Sequence, residues 1–306
     1  HLPGDFERPL RPGDTEDLEK MVGRTLITSD GTTALGADDK AGLAVIVTAL
    51  ERLLADPGLP RCPIRIVFTC DEEIASDVSE LFNVLTGYAH QTEYRKLLVA
   101  PDSMREGIMA RIEREVKRHR AHGDGYLAFK MNALVDKPII TALYLASQAG
   151  VKIDLQIRGI CSLRPGVPGL SETIRVTSIV GRFLEHARIF YFRNGGEEEI
   201  LMGSADLMPR NLNRRVETLF PVKRPLLDLI RDSVLFVHLQ DNVQARQLQP
   251  DNTYLRLQPG PDEDPLDSQA WMLENFAGRT EDGISAPLPY DPDWSTSPEP
   301  GDNSSH

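Results

Sequence analysis

The chain has 306 residues, 41% of them hydrophobic and 26% charged, enough for one or two cored globular domains. Its longest apolar run, Leu43 to Leu50, falls far short of the about 20 residues that a membrane-spanning helix needs. Cys62, Cys70 and Cys161 form no C-x-x-C pair, which argues against a disulfide scaffold. With no signal peptide at the start, these features predict a soluble, cytoplasmic protein with reduced thiols. The net charge of −12 is uneven: −7 over residues 1–78, +5 over 79–261 and −10 over 262–306. A basic middle in an acidic chain attracts polyanions.

Residues 1–24 are polar, rich in Pro and Gly, and predict a loop. Order begins with T-L-I-T-S-D-G-T-T-A-L-G-A-D-D-K-A-G (25–42), followed by a helical pattern over Ala41 to Leu54 and a β-branched strand over Ile64 to Thr69. D-D-K in a loop and D-E-E (71–73) after a strand are a layout in which carboxylates can converge on divalent ions. This segment resembles the tripeptidase (peptidase T) branch of the zinc metallopeptidases. The resemblance implies that Asp38 bridges two zinc ions, that Glu72 is a general base and that Glu73 is a metal ligand. The family's H-x-D motif, downstream acidic ligand and final His ligand have no counterpart. The expectation is a vestigial site that holds no functional metal.

From residue 77 the character changes. D-V-S-E-L-F-N-V-L-T-G-Y (77–88) and Q-T-E-Y-R-K-L-L-V-A-P (91–101) resemble the C-terminal half of bacterial polyphosphate kinases. Thr69, Asp71, Glu73 and Ile74 satisfy both families, so the crossover falls inside a shared string, as in a recombined gene or an error of sequence assembly. The kinase family's nucleotide-binding tyrosine is replaced by Cys62. The resemblance omits the phosphohistidine domain and two arginines associated with Mg2+, which implies little turnover by this chain alone.

Further along, Val78 to Leu85, Met104 to His119, Lys137 to Ala149 and Pro225 to Gln240 read as helices. Strands are predicted at Tyr126 to Phe129, Lys152 to Ile157, Ile174 to Ile179, Arg188 to Phe192, Ile200 to Gly203 and Val216 to Phe220. Gly195-Gly196 reads as a hairpin turn. The alternation implies an α/β domain with a mixed or largely parallel sheet and a site at strand C-termini. By resemblance the domain is phospholipase D-like, with His186-Ala187-Arg188 and Gly203-Ser204-Ala205-Asp206 standing where that fold carries H-x-K and G-S-x-N.

Phosphoryl transfer rests on positioning and charge neutralisation, for which arginine forks are suited. The resemblance makes Arg158, in R-G-I-C-S-L-R-P-G, and His186, in F-L-E-H-A-R-I-F-Y-F, contacts of nucleotide phosphates, with His186 as the catalytic residue. Lys130, Asn132, Arg188, Ser204, Asp206 and Arg210 are secondary candidates for ATP or phosphate binding. Arg214 and Arg215 are more readily salt-bridge partners.

Residues 259–306, rich in Pro, Asp, Ser and Gly with Arg279 as the one basic residue, predict a disordered acidic tail in which Trp271, Met272, Leu273 and Phe276 could dock as one helical turn. The expected division is therefore a partial metallopeptidase-like segment (1–74), a kinase C-terminal catalytic domain (75–258) and the tail. The expected partners are ATP or ADP, with Mg2+, and inorganic polyphosphate, without nucleic acid. By family, peripheral membrane association, an oligomer, or a catalytic half supplied in trans are further expectations. The alternatives are a truncated zinc-dependent peptidase and a polyanion-binding remnant that transfers no phosphate.

Overall fold

The computed structural model describes residues 72–87, 93–276 and 290. Asp38, Cys62 and the rest of the tripeptidase-like string lie outside the described residues, as do the side chains of Glu72 and Glu73. Helix α1 (Glu72–Leu85) leads to strand β1 (Leu98–Ala100) and helix α2 (Met104–His122). The centre is built from β2 (Tyr126–Met131), α3 (Lys137–Gln148), β3 (Lys152–Ile157), β4 (Ile174–Ile179), β5 (Ile189–Phe192) and β6 (Glu199–Gly203). Then come α4 (Pro209–Arg214), β7 (Glu217–Val222), α5 (Leu226–Ile230), α6 (Phe236–Leu239), β8 (Ala245–Leu248), β9 (Tyr254–Arg256) and α7 (Ser268–Phe276).

The nine strands form one sheet in the order β1-β7-β6-β5-β2-β3-β4-β8-β9. Only the β2–β3 and β3–β4 pairings are parallel, so the sheet is mixed and mostly antiparallel, not largely parallel. β2, Y-L-A-F-K-M, is buried at every position because helices cover both faces of the sheet centre. On one face Leu127, Phe129, Ile153 and Leu155 pack under Met104, Ile108 and Ile112 of α2 and Ile139 and Leu143 of α3. On the other, Tyr126, Ala128, Ile189 and Tyr191 meet Leu227, Ile230, Phe236 and Leu239. The two side-chain sets alternate along each strand, as the pleat requires.

Local signals place the helices. α2 stops at Gly123, whose φ of 75° is the left-handed cap conformation, with its N–H on the His119 carbonyl. α3 starts at Asp136, whose carboxylate accepts from the Ile139 N–H and also takes the Arg105 guanidinium at 2.9 Å. The helix expected over Pro225 to Gln240 is divided: a π turn at Arg231–Leu235 separates α5 from α6. Gly195-Gly196 does turn the β5–β6 hairpin, through a short 3-10 segment. No described helix is long and apolar enough to cross a membrane.

The predicted tail needs correction over its described part. Residues 268–276 form α7, and Ser268, Gln269 and Asn275 are buried. Tyr290 also docks on the domain, stacking near Phe236 with ring centroids 4.6 Å apart. The helical turn expected over Trp271 to Phe276 is the end of α7, while the anchoring contacts come from buried polar Ser268, Gln269 and Asn275, which leave little trace in hydrophobicity.

Beneath Tyr290 lies a buried charge. Asp154, fully buried, accepts from Arg175 Nε at 2.7 Å, from the Tyr126 hydroxyl at 2.8 Å and from the Tyr290 hydroxyl. Burial with Asp154 close by pushes the Tyr126 hydroxyl pKa well up, so it stays a donor. Replacing Asp154 by Ala removes the carboxylate from a buried guanidinium and the acceptor from two hydroxyls. The expected loss is about 3 kcal/mol, seen as a lower urea midpoint with an unchanged slope.

Candidate functional site

Parallel pairing of β2, β3 and β4 brings their C-terminal ends to one edge of the sheet. β6, two antiparallel steps from β2, ends on the same edge, and β5 and β7 begin there. The segments leaving these strands stay paired. Gly159 N–H donates to the Asn132 carbonyl at 2.9 Å, Leu134 N–H to Ile160 at 2.9 Å, and Leu207 N–H to Ala133 at 3.2 Å. Lys130, Asn132, Arg158, His186, Arg188, Ser204 and Asp206 therefore gather along one rim, as the placement at strand ends predicts.

Asp206 ties this rim together. Its carboxylate accepts from the Asn132 N–H at 2.7 Å, the Ala133 N–H at 3.2 Å, and Arg188 Nε and Nη2 at 3.2 and 3.0 Å. Arg188 Nη1 donates to the His186 carbonyl at 2.8 Å. The two strings His186-Ala187-Arg188 and Gly203-Ser204-Ala205-Asp206 are thus joined by an ion pair. Gly203 lets β6 approach β7 closely, since a Cβ there would lie 1.8 Å from the Thr218 carbonyl oxygen. Ser204 donates its hydroxyl to Glu217, whose other oxygen receives the Asn211 side-chain amide.

A second carboxylate sits one residue before His186. Glu185 Oε2 takes the Lys130 ammonium at 2.7 Å and His238 Nε2 at 2.9 Å, while Oε1 accepts from Gln269 Nε2 at 2.6 Å. Burial alone would raise the Glu185 pKa; His238 and Lys130 outweigh it and hold the carboxyl far below its usual range. Burial lowers the Lys130 pKa, Glu185 opposes that, and Arg158 and Arg188 add repulsion, which puts three cations close together. Lys130 and His186 line one cavity of about 600 Å3 with Phe183, His238 and Met272.

The predicted residues separate by environment. His186 is exposed, and Arg158 is half-buried at the end of β3, with its Nη1 buried and unpartnered among the described residues. Lys130 is 2% exposed and its charge is spent on Glu185. Asp206 and Ser204 are engaged inside the chain, and Asn132 contributes its backbone. Arg210 is exposed in the first turn of α4. Arg215 lies 3.8 Å from Glu217, the ion-pair role expected of it. Sequence reasoning missed Glu185, His238, Gln269 and Glu217. For Glu185 a signal existed, because a lysine in an otherwise apolar central strand requires an acid nearby.

The rim defines an α/β domain with a histidine and clustered arginines at the C-terminal edge of a mixed sheet. The chain belongs to the polyphosphate kinase family: residues 97–269 match the model for polyphosphate kinase C-terminal domain 2. That match runs 11 residues past the boundary expected at 258. The polyphosphate kinase of Synechocystis sp. is 55% identical over 217 residues, covering 71% of this chain and 30% of that protein. The Thermosynechococcus vestitus polyphosphate kinase is 56% identical over 197 residues, 64% of this chain and 27% of the relative. The crystal structure of the Porphyromonas gingivalis polyphosphate kinase superposes with a TM-score of 0.65 at 40% identity, over 72% of this chain and 34% of that one. The chain thus spans about a third or less of the length of these relatives.

The depressed Glu185 pKa carries a pH signature. The unfolded carboxyl binds protons first as pH falls, so the stability it supplies is complete above its ordinary value of 4.5 and drains away below it. The stability difference between wild type and Glu185→Gln is expected to be constant near neutrality and to shrink below pH 4.5, measured by urea unfolding across pH. Cys161, beside this rim, has its thiol pushed up to about 11 by burial, from 9.0. In a Cys62→Ser/Cys70→Ser background its alkylation by iodoacetamide at pH 8 should be about a hundredfold slower folded than unfolded, followed by mass spectrometry.

Proposed function

We propose that this domain binds the phosphates of ATP and of inorganic polyphosphate and contributes Arg158 and His186 to phosphoryl transfer between them. The observation that carries the reading is the buried Nη1 of Arg158, unpartnered among the described residues, on the same rim as the exposed His186. A buried guanidinium N–H without an acceptor calls for one, and a phosphate oxygen supplies it with a charge-assisted bond. Arg188 and Lys130 add positive potential while held by Asp206 and Glu185. They act as scaffold and field; the direct contacts fall to Arg158 and His186, with Arg210 as an exposed cation in α4, which follows the rim.

Such an edge can perform the chemistry. The transferred group spreads charge over its oxygens, and an arginine fork neutralises that charge while fixing its orientation. An exposed imidazole can donate a hydrogen bond to a leaving phosphate oxygen and exchange a proton with it. Mg2+ enters as part of the nucleotide substrate, and among the described residues no cluster of three potential metal ligands competes for it. We read the sheet as phospholipase D-like on the joining of the two strings through Arg188 and Asp206. We read residues 1–74 as a metallopeptidase-derived segment on its D-G-T-T-x-L-G-A-D-D-K-A-G string. The resemblance places the family's phosphohistidine outside the matched residues, and we read this domain as contributing part of a composite site.

The test is calorimetric titration of the full chain with tripolyphosphate and with Mg2+·ATP. Arg158→Ala and His186→Ala are each expected to weaken binding about tenfold, the loss of one charge-assisted bond of roughly 1.5 kcal/mol. Absence of binding by the folded wild-type chain overturns the reading.

A further inference from the structure

His186 follows a segment with little apolar anchorage of its own. Phe183 and Leu184 are 46% and 71% exposed, so burial does not fix the path of residues 181–185. A polar clamp from α7 does. Gln269, 7% exposed, accepts from the Phe183 N–H through Oε1 at 2.9 Å and donates Nε2 to the Phe183 carbonyl at 2.8 Å. One side-chain amide thereby satisfies both backbone groups of one residue, as a neighbouring strand would. The same Nε2 reaches Glu185 Oε1 at 2.6 Å. Gly181 leaves the space: a Cβ there would stand 2.4 Å from Gln269 Oε1.

The clamp has a rigid base. Asp241, 1% exposed, accepts from the Ser268 N–H and hydroxyl at 2.9 and 2.7 Å through Oδ2. Its Oδ1 takes the N–H groups of Val243, Gln244 and Ala245, the last at the start of β8. The start of α7 is therefore fixed to the sheet by a buried carboxylate, and Gln269 projects from the next residue.

We propose that Gln269 is a positioning residue for phosphate handling: through Phe183 and Glu185 it fixes segment 181–186 and presents His186 to the rim. This rests on the function proposed above for His186. Lys130 and His238 hold the far oxygen of Glu185, so the segment is gripped from the sheet, from α6 and from α7. Of these three, Gln269 bonds the backbone of the segment, at Phe183, while Arg188 Nη1 holds the carbonyl of His186 itself.

The experiment uses the full chain with Gln269→Leu, which keeps the bulk and removes the amide, and Gln269→Glu, which keeps an acceptor for Phe183 but sets a second carboxylate against Glu185. Two readouts apply: hydrogen exchange of the Phe183 amide and the His186 imidazole resonances by NMR, and tripolyphosphate affinity. In Gln269→Leu, Phe183 exchange should quicken at least tenfold, the His186 resonances should shift, and affinity should fall severalfold, with β3 and α2 amides unchanged. Gln269→Glu should also displace the His186 resonances. Unchanged Phe183 exchange and His186 resonances in both variants overturn the proposal, and so does a freed segment with undiminished affinity. If wild type binds no tripolyphosphate, the phosphate reading fails by itself, and the NMR comparison still decides whether Gln269 positions His186.

Discussion

Asp206, just past β6, lies where its own segment meets the exit of β2 and the entry to β5, and its carboxylate supplies what those two lack. Beyond β2 the backbone N–H groups of Asn132 and Ala133 have left the ladder and need acceptors. Arg188, entering β5, needs an anion to be tolerated at low exposure. One carboxylate at the end of β6 answers both needs. Because a carboxylate offers about four lone-pair directions, no neutral side chain of this size does the same work. The pairing of the outgoing segments follows from that fixed point, and Arg158 emerges from β3 onto a rim whose geometry is already set.

The charge arrangement around the rim is graded. Arg188 is neutralised by buried Asp206 and Lys130 by partly buried Glu185, Arg105 is held by Asp136, and Arg158 keeps a guanidinium N–H without an acceptor among the described residues. A cluster of fully paired cations has little field to offer, and a cluster of unpaired ones cannot be buried. Leaving one cation partly unmet among several that are met gives attraction for an anion at bearable cost to folding. The depressed pKa values of Lys130 and Glu185 record the two sides of that balance, repulsion among the cations and compensation by the acid.

Much of this was legible in the chain. β3 and β4 match the strands expected at Lys152 to Ile157 and Ile174 to Ile179, β2 runs two residues past the expected Tyr126 to Phe129, and α2 and α3 begin at Met104 and Lys137 as expected. The short outer strands were not legible: L-V-A in β1, A-R-Q-L in β8 and Y-L-R in β9 are too brief or too polar for a period of two to register. Of the expected mixed or largely parallel sheet, the mixed form is the one found, because hairpins connect β5, β6 and β7 where alternation of helix and strand gives way. On the rim, Arg158 and His186 stood out by their flanking strings, while the secondary candidates Lys130, Ser204 and Asp206 are bonded within the chain to Glu185, Glu217 and Arg188, ties that the strings did not reveal. Gln269 left no signal. Its role depends on an approach made possible by Gly181, and no one-dimensional pattern links residues that far apart.

The same separation bears on how the molecule comes into being. Gln269 grips a residue 86 positions earlier, and Tyr290 reaches Asp154 across 136. On a ribosome the strands that bear Arg158 and flank His186 emerge well before either of these contacts exists. Contacts of such long sequence separation form late, since closing the intervening loop must come first. During synthesis the nascent domain therefore passes through a stage with its sheet in place and the segment before His186 still without its clamp. The bonds that hold Phe183 and Glu185 are thus among the last of the described domain to form.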